Sequence, residues 1–178
     1  MKIWKRVLLA LTSICLVWAT NSIAAEDCSR VMSLSDYQKA NARYLYTRGQ
    51  PHNLSYTLIA ISFAESSLGK WRVNYLSNDF GLMQVNIRTA YNTLGITNHY
   101  RRLELAERLI YDDELNVYLA TSVLKHFNRN GWQDMIRSYN EGNRWRRDKA
   151  SRKKADKYLQ SVRENVRMFQ RCKTYLLE

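Results

Sequence analysis

The sequence predicts a single, mainly helical domain with a small β-hairpin or loop region around residues 72–93. Three observations predict it. One proline and six glycines interrupt 178 residues, so few positions break a helix. Beyond residue 34, apolar residues recur three and four apart over long stretches, the period of amphipathic helices. Between Arg72 and Thr93 that period is lost. There "VNYLSNDFGLMQVNIR" sets Asn, Asp and Gly among short apolar pieces, which reads as turns and a small hairpin.

The chain opens with a leader-like stretch. "MKIWKR" supplies Lys2, Lys5 and Arg6, "VLLALTSICLVWA" is uncharged and mostly apolar, and small residues follow at Ser22, Ala24 and Ala25. This is the three-part pattern of a secretory signal peptide over residues 1–25. Its apolar run is short of the roughly 20 residues a membrane span needs. An uncleaved anchor is the other reading. Cleavage after Ala24 or Ala25 leaves one domain over residues 26–178, exported to periplasm or cell wall, with no stable membrane span.

Helices then follow one another. "SLSDYQKANARYLYTRGQP" starts at a Ser/Asp cap near Ser35 and stops at Gly49 and Pro51. The next runs from about Leu54 to Leu68. "NHYRRLELAERLIY" and "DDELNVYLATSVLKHFNRNG" are two more, the second with acidic residues at its start and Gly131 at its end. "GWQDMIRSYNEG" is short, and "SRKKADKYLQSVRENVRMFQRC" closes the chain. No repeat or linker divides them.

Cys28 and Cys172 stand near the two ends of the mature chain. In an oxidising compartment a bridge between them is the default reading, and two separate thiols the alternative. The charge is lopsided: 28 Lys and Arg against 16 Asp and Glu, net +12. Such a balance favours an acidic partner. For an exported protein that means wall polymer or lipid head groups rather than nucleic acid. The densest basic run is "RWRRDKASRKKADK", Arg144 to Lys157, which reads either as a docking patch or as a solvated helix face.

One residue breaks the pattern. Leu54, Leu58, Ile61, Glu65 and Leu68 recur at helical spacing, so Glu65 falls in an apolar stripe. A carboxyl against a low-dielectric wall has a raised pKa and can donate a proton near neutrality. On periodicity alone, a Glu that reaches water or pairs with an arginine is the better explanation of the position.

Two further stretches change that balance. "GLMQVN" lies at Gly81 to Asn86 and "SYNEG" at Ser138 to Gly142. A helix ending in Glu-Ser, then Gly-Leu-Met-Gln, then Tyr-Asn-x-Gly, resembles the soluble lytic transglycosylase family with its goose-lysozyme-like fold. "DDELNVYLATSVLKHF" is similar to that family's Asn-bearing helix, and "KYLQSV" to its Tyr-containing final helix. The resemblance covers about Tyr37 to Val166. It implies an α+β lysozyme-like fold and cleavage of the MurNAc–GlcNAc bond of peptidoglycan glycan strands. It also implies roles. Glu65 matches the single catalytic acid/base, and Ser66 the serine that contacts the substrate acetamido group. Gly81, Met83 and Gln84 match the loop lining the cleft. Tyr139 matches the tyrosine whose hydroxyl lies near the catalytic carboxyl, with Asn140 beside it. Small exported members serve conjugation, secretion systems or phage entry, so parts of such a machine are implied partners.

The sequence departs from the family at Ser138 and Glu141, where alanines are usual, which makes that surface more polar. Asp79 leaves a second chemistry open. Inverting lysozymes pair an acid with a base for water, whereas a turn-former in "SNDFG" explains Asp79 without function. Loss of activity, leaving a wall-binding module, is the reading that Glu65, Gln84 and Tyr139 argue against. His52, His99 and His126 show no metal-ligand spacing, so neither metal nor cofactor is expected. Trp71, Tyr75, Phe80, Tyr91 and Trp145 are candidates for stacking on sugar rings, Trp71 foremost because it follows the Glu65 helix closely.

Overall fold

The structure is a computed structural model that describes residues 28–177; the leader expected over residues 1–25 lies outside the described residues. Helix α1 (Ser29–Met32) leads into α2 (Asp36–Gly49). The expected cap is a full capping box. Ser35 Oγ accepts from the Gln38 amide at 3.3 Å, and the Gln38 side chain accepts from the Ser35 amide at 3.0 Å. Two orphan donors are satisfied reciprocally. Past Gly49, Pro51 allows only a 3-10 turn, Gln50–His52.

Helix α3 (Ser55–Ser66) is the centre of the molecule. It packs on α2 on one side and on the long α8 (Lys149–Arg171) on the other. Every residue from Thr57 to Ser62 is buried. The one-sided stripe read from the sequence is therefore too narrow: helices cover α3 around most of its circumference. Glu65 is the only carboxylate on α3 and is only partly exposed.

After α3 come three strands of two residues each, β1 (Val73–Asn74), β2 (Asp79–Phe80) and β3 (Val85–Asn86). They pair antiparallel in that order, with Val73 opposite Phe80 and Phe80 opposite Val85. The expected hairpin thus has a third strand. A helix, α4 (Ile87–Thr93), also falls inside the region read as turns. Its start signal is Asn86, whose side chain accepts from the Arg88 amide at 3.1 Å, a cap masked by its role in the strand. The strands are too short to hold themselves. Arg72, at their entry, is tied down by Asp113 through two hydrogen bonds of 2.5 and 3.0 Å and by the Ile110 carbonyl at 2.9 Å.

Helices α5 (His99–Tyr111), α6 (Asp113–Phe127) and α7 (Trp132–Glu141) follow close to their expected bounds. Asn98 caps α5, Asp112 caps α6, and Asp148 caps α8. A last helix, α9 (Lys173–Leu177), continues past the expected end of the chain's final helix and docks against α1 and α2. One hydrophobic core runs through the described residues, with Leu45, Leu58, Ile59, Leu82, Leu119 and Phe169 fully buried. No helix among them is long and apolar enough to cross a membrane.

Cys28 and Cys172 form a disulfide across 144 residues of sequence, with Cα atoms 5.7 Å apart. Both cysteines are buried. The bridge fastens the start of α1 to the end of α8, where terminal helices otherwise fray. In the chain-entropy account, so long a loop stabilises by about 5 kcal/mol. Reduction under native conditions should therefore lower the melting temperature by many degrees, and Cys28→Ser should reproduce the loss. Equal melting curves with and without reductant would show that the bridge contributes nothing.

Candidate active site

The site is built where α3 ends. Ser67 and Leu68 adopt left-handed φ values of 51° and 55°, which break the helix immediately after Glu65 and Ser66. Non-glycine residues pay for that conformation, and three side chains hold it. Gln38 Nε2 donates to the Ser67 carbonyl and Asn41 Nδ2 to the Leu68 carbonyl, each at 2.9 Å, while Ser66 Oγ accepts from the Gly69 amide at 2.8 Å.

The loop from Phe80 to Gln84 is held by side chains from three helices. Ser62 and Ser66 of α3 donate to the Leu82 carbonyl at 3.0 and 2.6 Å. Asn116 of α6 donates to the Phe80 carbonyl at 2.8 Å and accepts from the Met83 amide at 2.8 Å. Tyr139 of α7 donates to the Met83 carbonyl at 2.8 Å. Gln84, at φ 50°, folds its amide back onto the Gly81 carbonyl at 3.0 Å.

This geometry revises several sequence assignments. Ser66 is fully buried with its hydroxyl committed inside the protein, so it positions the loop and offers no surface to a sugar. Met83 is fully buried too. Gly81 is needed for a different close approach from the one expected. A Cβ there would lie 2.0 Å from the Leu109 carbonyl oxygen and 2.3 Å from Asn116 Nδ2, and its φ of 83° also favours glycine. Tyr139 lies near enough to Glu65 to feel its charge, as expected, but its hydroxyl bonds the loop. The hydroxyl on Glu65 belongs to Tyr158 of α8, which donates to Oε1 at 2.5 Å. Sequence reasoning noted "KYLQSV" but did not place Tyr158 in the site; the signal was there in that motif. Asn116 was missed in the same way, inside the Asn-bearing helix. Asn140 is exposed at the end of α7, and Asp79 is partly exposed on β2, accepting from Asn86 Nδ2 at 2.8 Å.

A family model for the transglycosylase SLT domain matches residues 46–161. The chain belongs to this family. Comparison with curated proteins and with solved structures gives no match. The matched span begins near the end of α2 and stops just past Tyr158, so it encloses Glu65, the 80–84 loop, Tyr139 and Tyr158. The protein is an enzyme of the lytic transglycosylase type, with peptidoglycan as its substrate and an α+β lysozyme-like fold.

Within this transglycosylase, burial narrows the aromatic candidates. Phe80 and Trp145 are buried, and Tyr91 lies under the Arg102 guanidinium at 4.2 Å. Trp71 and Tyr75 are 65% and 79% exposed at the sheet edge next to the loop, with Lys70 Nζ 5.2 Å from the Trp71 ring centroid, so these two are the most exposed of the five. The departures at residues 138 and 141 leave less polar surface than expected. Ser138 is buried and accepts from Trp145 Nε1 at 3.0 Å, and Glu141 pairs with Arg144. Among the described residues no group of side chains is arranged to hold a metal.

Electrostatics single out Glu65. Burial raises its pKa from 4.5 to about 7; the hydrogen bond from Tyr158 works against the rise, and the charge of Asp79 adds to it. Burial, with the neighbouring Glu65 charge, also pushes Tyr139 and Tyr158 well above the usual phenol value, so both remain donors. Between pH 4.5 and 7 the folded protein holds a proton on Glu65 that the unfolded chain has released. The associated stabilisation is complete below pH 4.5 and is lost as pH rises through 7. Glu65→Gln removes this dependence. At pH 8 the variant should be more stable than the wild type, by up to about 3 kcal/mol, with the gap closing towards pH 4.5. Denaturant unfolding at both pH values checks this, and a gap independent of pH would contradict the burial argument.

Proposed function

We propose that Glu65 is the single acid and base of a lytic transglycosylase that cleaves the MurNAc–GlcNAc β-1,4 bond and leaves a 1,6-anhydro-MurNAc end. The observation that carries this reading is one carboxyl held at the end of a buried helix, with its pKa brought to about 7. Protonated, it donates to the glycosidic oxygen as the bond to C1 breaks. The substrate's acetamido group assists at C1. The carboxylate then accepts the proton of the C6 hydroxyl while the C6 oxygen bonds to C1. No water enters, and the carboxyl is restored. Gln84 offers its amide oxygen as an acceptor, its NH2 being bound to the Gly81 and Trp71 carbonyls. Asn140 carries an exposed amide that can both donate and accept, and Trp71 and Tyr75 supply sugar-stacking faces.

The second reading is hydrolysis, with Asp79 as base for water. Its support is that Asp79 lies close enough for its charge to act on Glu65. Against it, Asp79 is already bonded by Asn86 and sits in a strand-pairing position opposite it. The leader pattern and the disulfide support export to the periplasm or wall; service to a secretion or conjugation machine has only the family resemblance behind it.

Product analysis separates the readings. Wild-type digests of purified wall should end in anhydro sugars, lighter by one water than hydrolysed ends. Glu65→Gln should lose about 10²–10⁴ in rate, and Asp79→Asn should change the rate modestly with the same products. Reducing ends from the wild type would refute the transglycosylase step.

The pH profile tests Tyr158. Activity needs the acid form of Glu65, so it should fall as pH rises through about 7. The Tyr158 bond favours the anion, so Tyr158→Phe should shift that limb to higher pH while lowering the maximal rate. An unmoved limb would mean that Tyr158 does not act on the carboxyl.

A further inference from the structure

Helix α8 has two faces with different chemistry. Tyr158 points to Glu65, and Ala155, Leu159 and Val162 are buried beside it. Lys149, Lys153 and Lys157 recur four apart and are exposed, with Arg147 and Lys154 exposed next to them. At 100° per residue, Lys149, Lys153 and Lys157 lie about 180°, 140° and 100° around the helix from Tyr158, and Lys154 about 40°. The stripe through Lys149, Lys153 and Lys157 therefore runs from the far side of α8 to its flank, while Lys154 lies on the Tyr158 side.

None of these five cations has an ion pair among the described residues, because the nearby acids are taken. Asp134 pairs with Arg137 and Arg146, Asp156 with Arg137, and Glu141 with Arg144. The Asp148 carboxylate caps α8 by accepting from the Ser151 amide at 2.6 Å. The arrangement also works against the helix. The first turn of α8 holds no acidic residue, although a helix start favours anions and disfavours cations. Lysines four apart on one face repel each other.

We propose that this stripe docks the free carboxylates of peptidoglycan peptide stems, on strands other than the one in the cleft. The proposal rests on the family's substrate, not on the role of Glu65. A strand bound beside Glu65 lies on the other side of α8 from Lys149 and Lys153, whereas a cross-linked wall presents neighbouring stems to both sides at once. Other occupants fit less well. None of the large exposed apolar side chains lies on the stripe, so nothing there inserts into a lipid surface. No exposed aromatic side chain stands among the lysines to stack on a nucleic-acid base. A second copy, equally basic, would be repelled at net +12.

The test compares the wild type with Lys149→Glu/Lys153→Glu/Lys157→Glu. Sedimentation on ice measures binding to intact wall sacculi, to peptide-free glycan chains and to phosphatidylglycerol-containing vesicles. The wild type should bind sacculi in a salt-sensitive way. The triple variant should bind sacculi roughly tenfold or more weakly. It should match the wild type on peptide-free glycan, in both binding and cleavage rate, and its melting temperature should be equal or higher. Equal binding to sacculi overturns the proposal, as does equal loss on peptide-free glycan or a loss confined to vesicles. A lower melting temperature would assign the lysines to the fold and overturn it too. The same measurements with Glu65→Gln should show wild-type binding; if that variant still cuts, the acid assignment fails while the docking result stands.

Discussion

Residues 80–84 depend on hydrogen bonds that they do not make among themselves. Strands of two residues cannot fix a loop, and this one turns through a left-handed Gln84. Its position is set by Ser62, Ser66, Asn116 and Tyr139, which satisfy the backbone groups of Phe80, Leu82 and Met83 from three helices. Each such bond is worth about 1 kcal/mol net, but leaving a buried carbonyl unpaired costs about 1–3. The loop is therefore held mainly by the penalty for letting go. The three helices must be in register for all these bonds to form together, so the loop beside Glu65 is accurate only when the whole helical core is.

That dependence explains which parts of the protein are legible in the sequence. Helices announce themselves locally: Ser35 with Gln38, Asp112, and Gly49 followed by Pro51 are start and stop signals that need no tertiary context. The central helix was legible too, but its burial on most sides was not, because the stripe through Glu65 says nothing about what covers the other faces. The short strands and α4 were misjudged for a related reason. Asn86 serves at once as a strand residue, a partner of Asp79 and a helix cap, and only the first two are compatible with a loop reading.

Side-chain roles were the least legible. Motifs identified Ser66, Gly81, Met83 and Tyr139 as a set, yet the structure uses them to build the loop. A motif reports that residues depend on one another, and buried hydrogen bonding creates such dependence as readily as substrate contact does. Gly81 is the clearest instance. The absence of a Cβ makes room for Asn116 and the Leu109 carbonyl, so glycine and asparagine form one constraint although they lie 35 positions apart. Tyr158 went unassigned for the converse reason. Its partner, Glu65, is 93 residues away, and nothing in "KYLQSV" states which way the ring points.

Glu65 shows how these layers combine. Burial alone would push its carboxyl towards permanent neutrality, and in the role proposed for it a carboxyl that never ionises cannot accept a proton back. The Tyr158 hydroxyl opposes burial by bonding the anion, and α8 delivers that hydroxyl because its buried face is packed along α3, with Asn165 donating to the Ala60 carbonyl. The pKa near 7 is thus a balance between a helix covered on most sides and one donor from the helix that covers it. Strengthening the packing without the donor would strand the proton on Glu65. Opening the packing would return it to an ordinary carboxylate, ionised before it could act as an acid. The disulfide at the end of α8 favours the packed arrangement by joining that helix to the start of α1, so a covalent link far from the site helps to hold the environment on which its protonation depends.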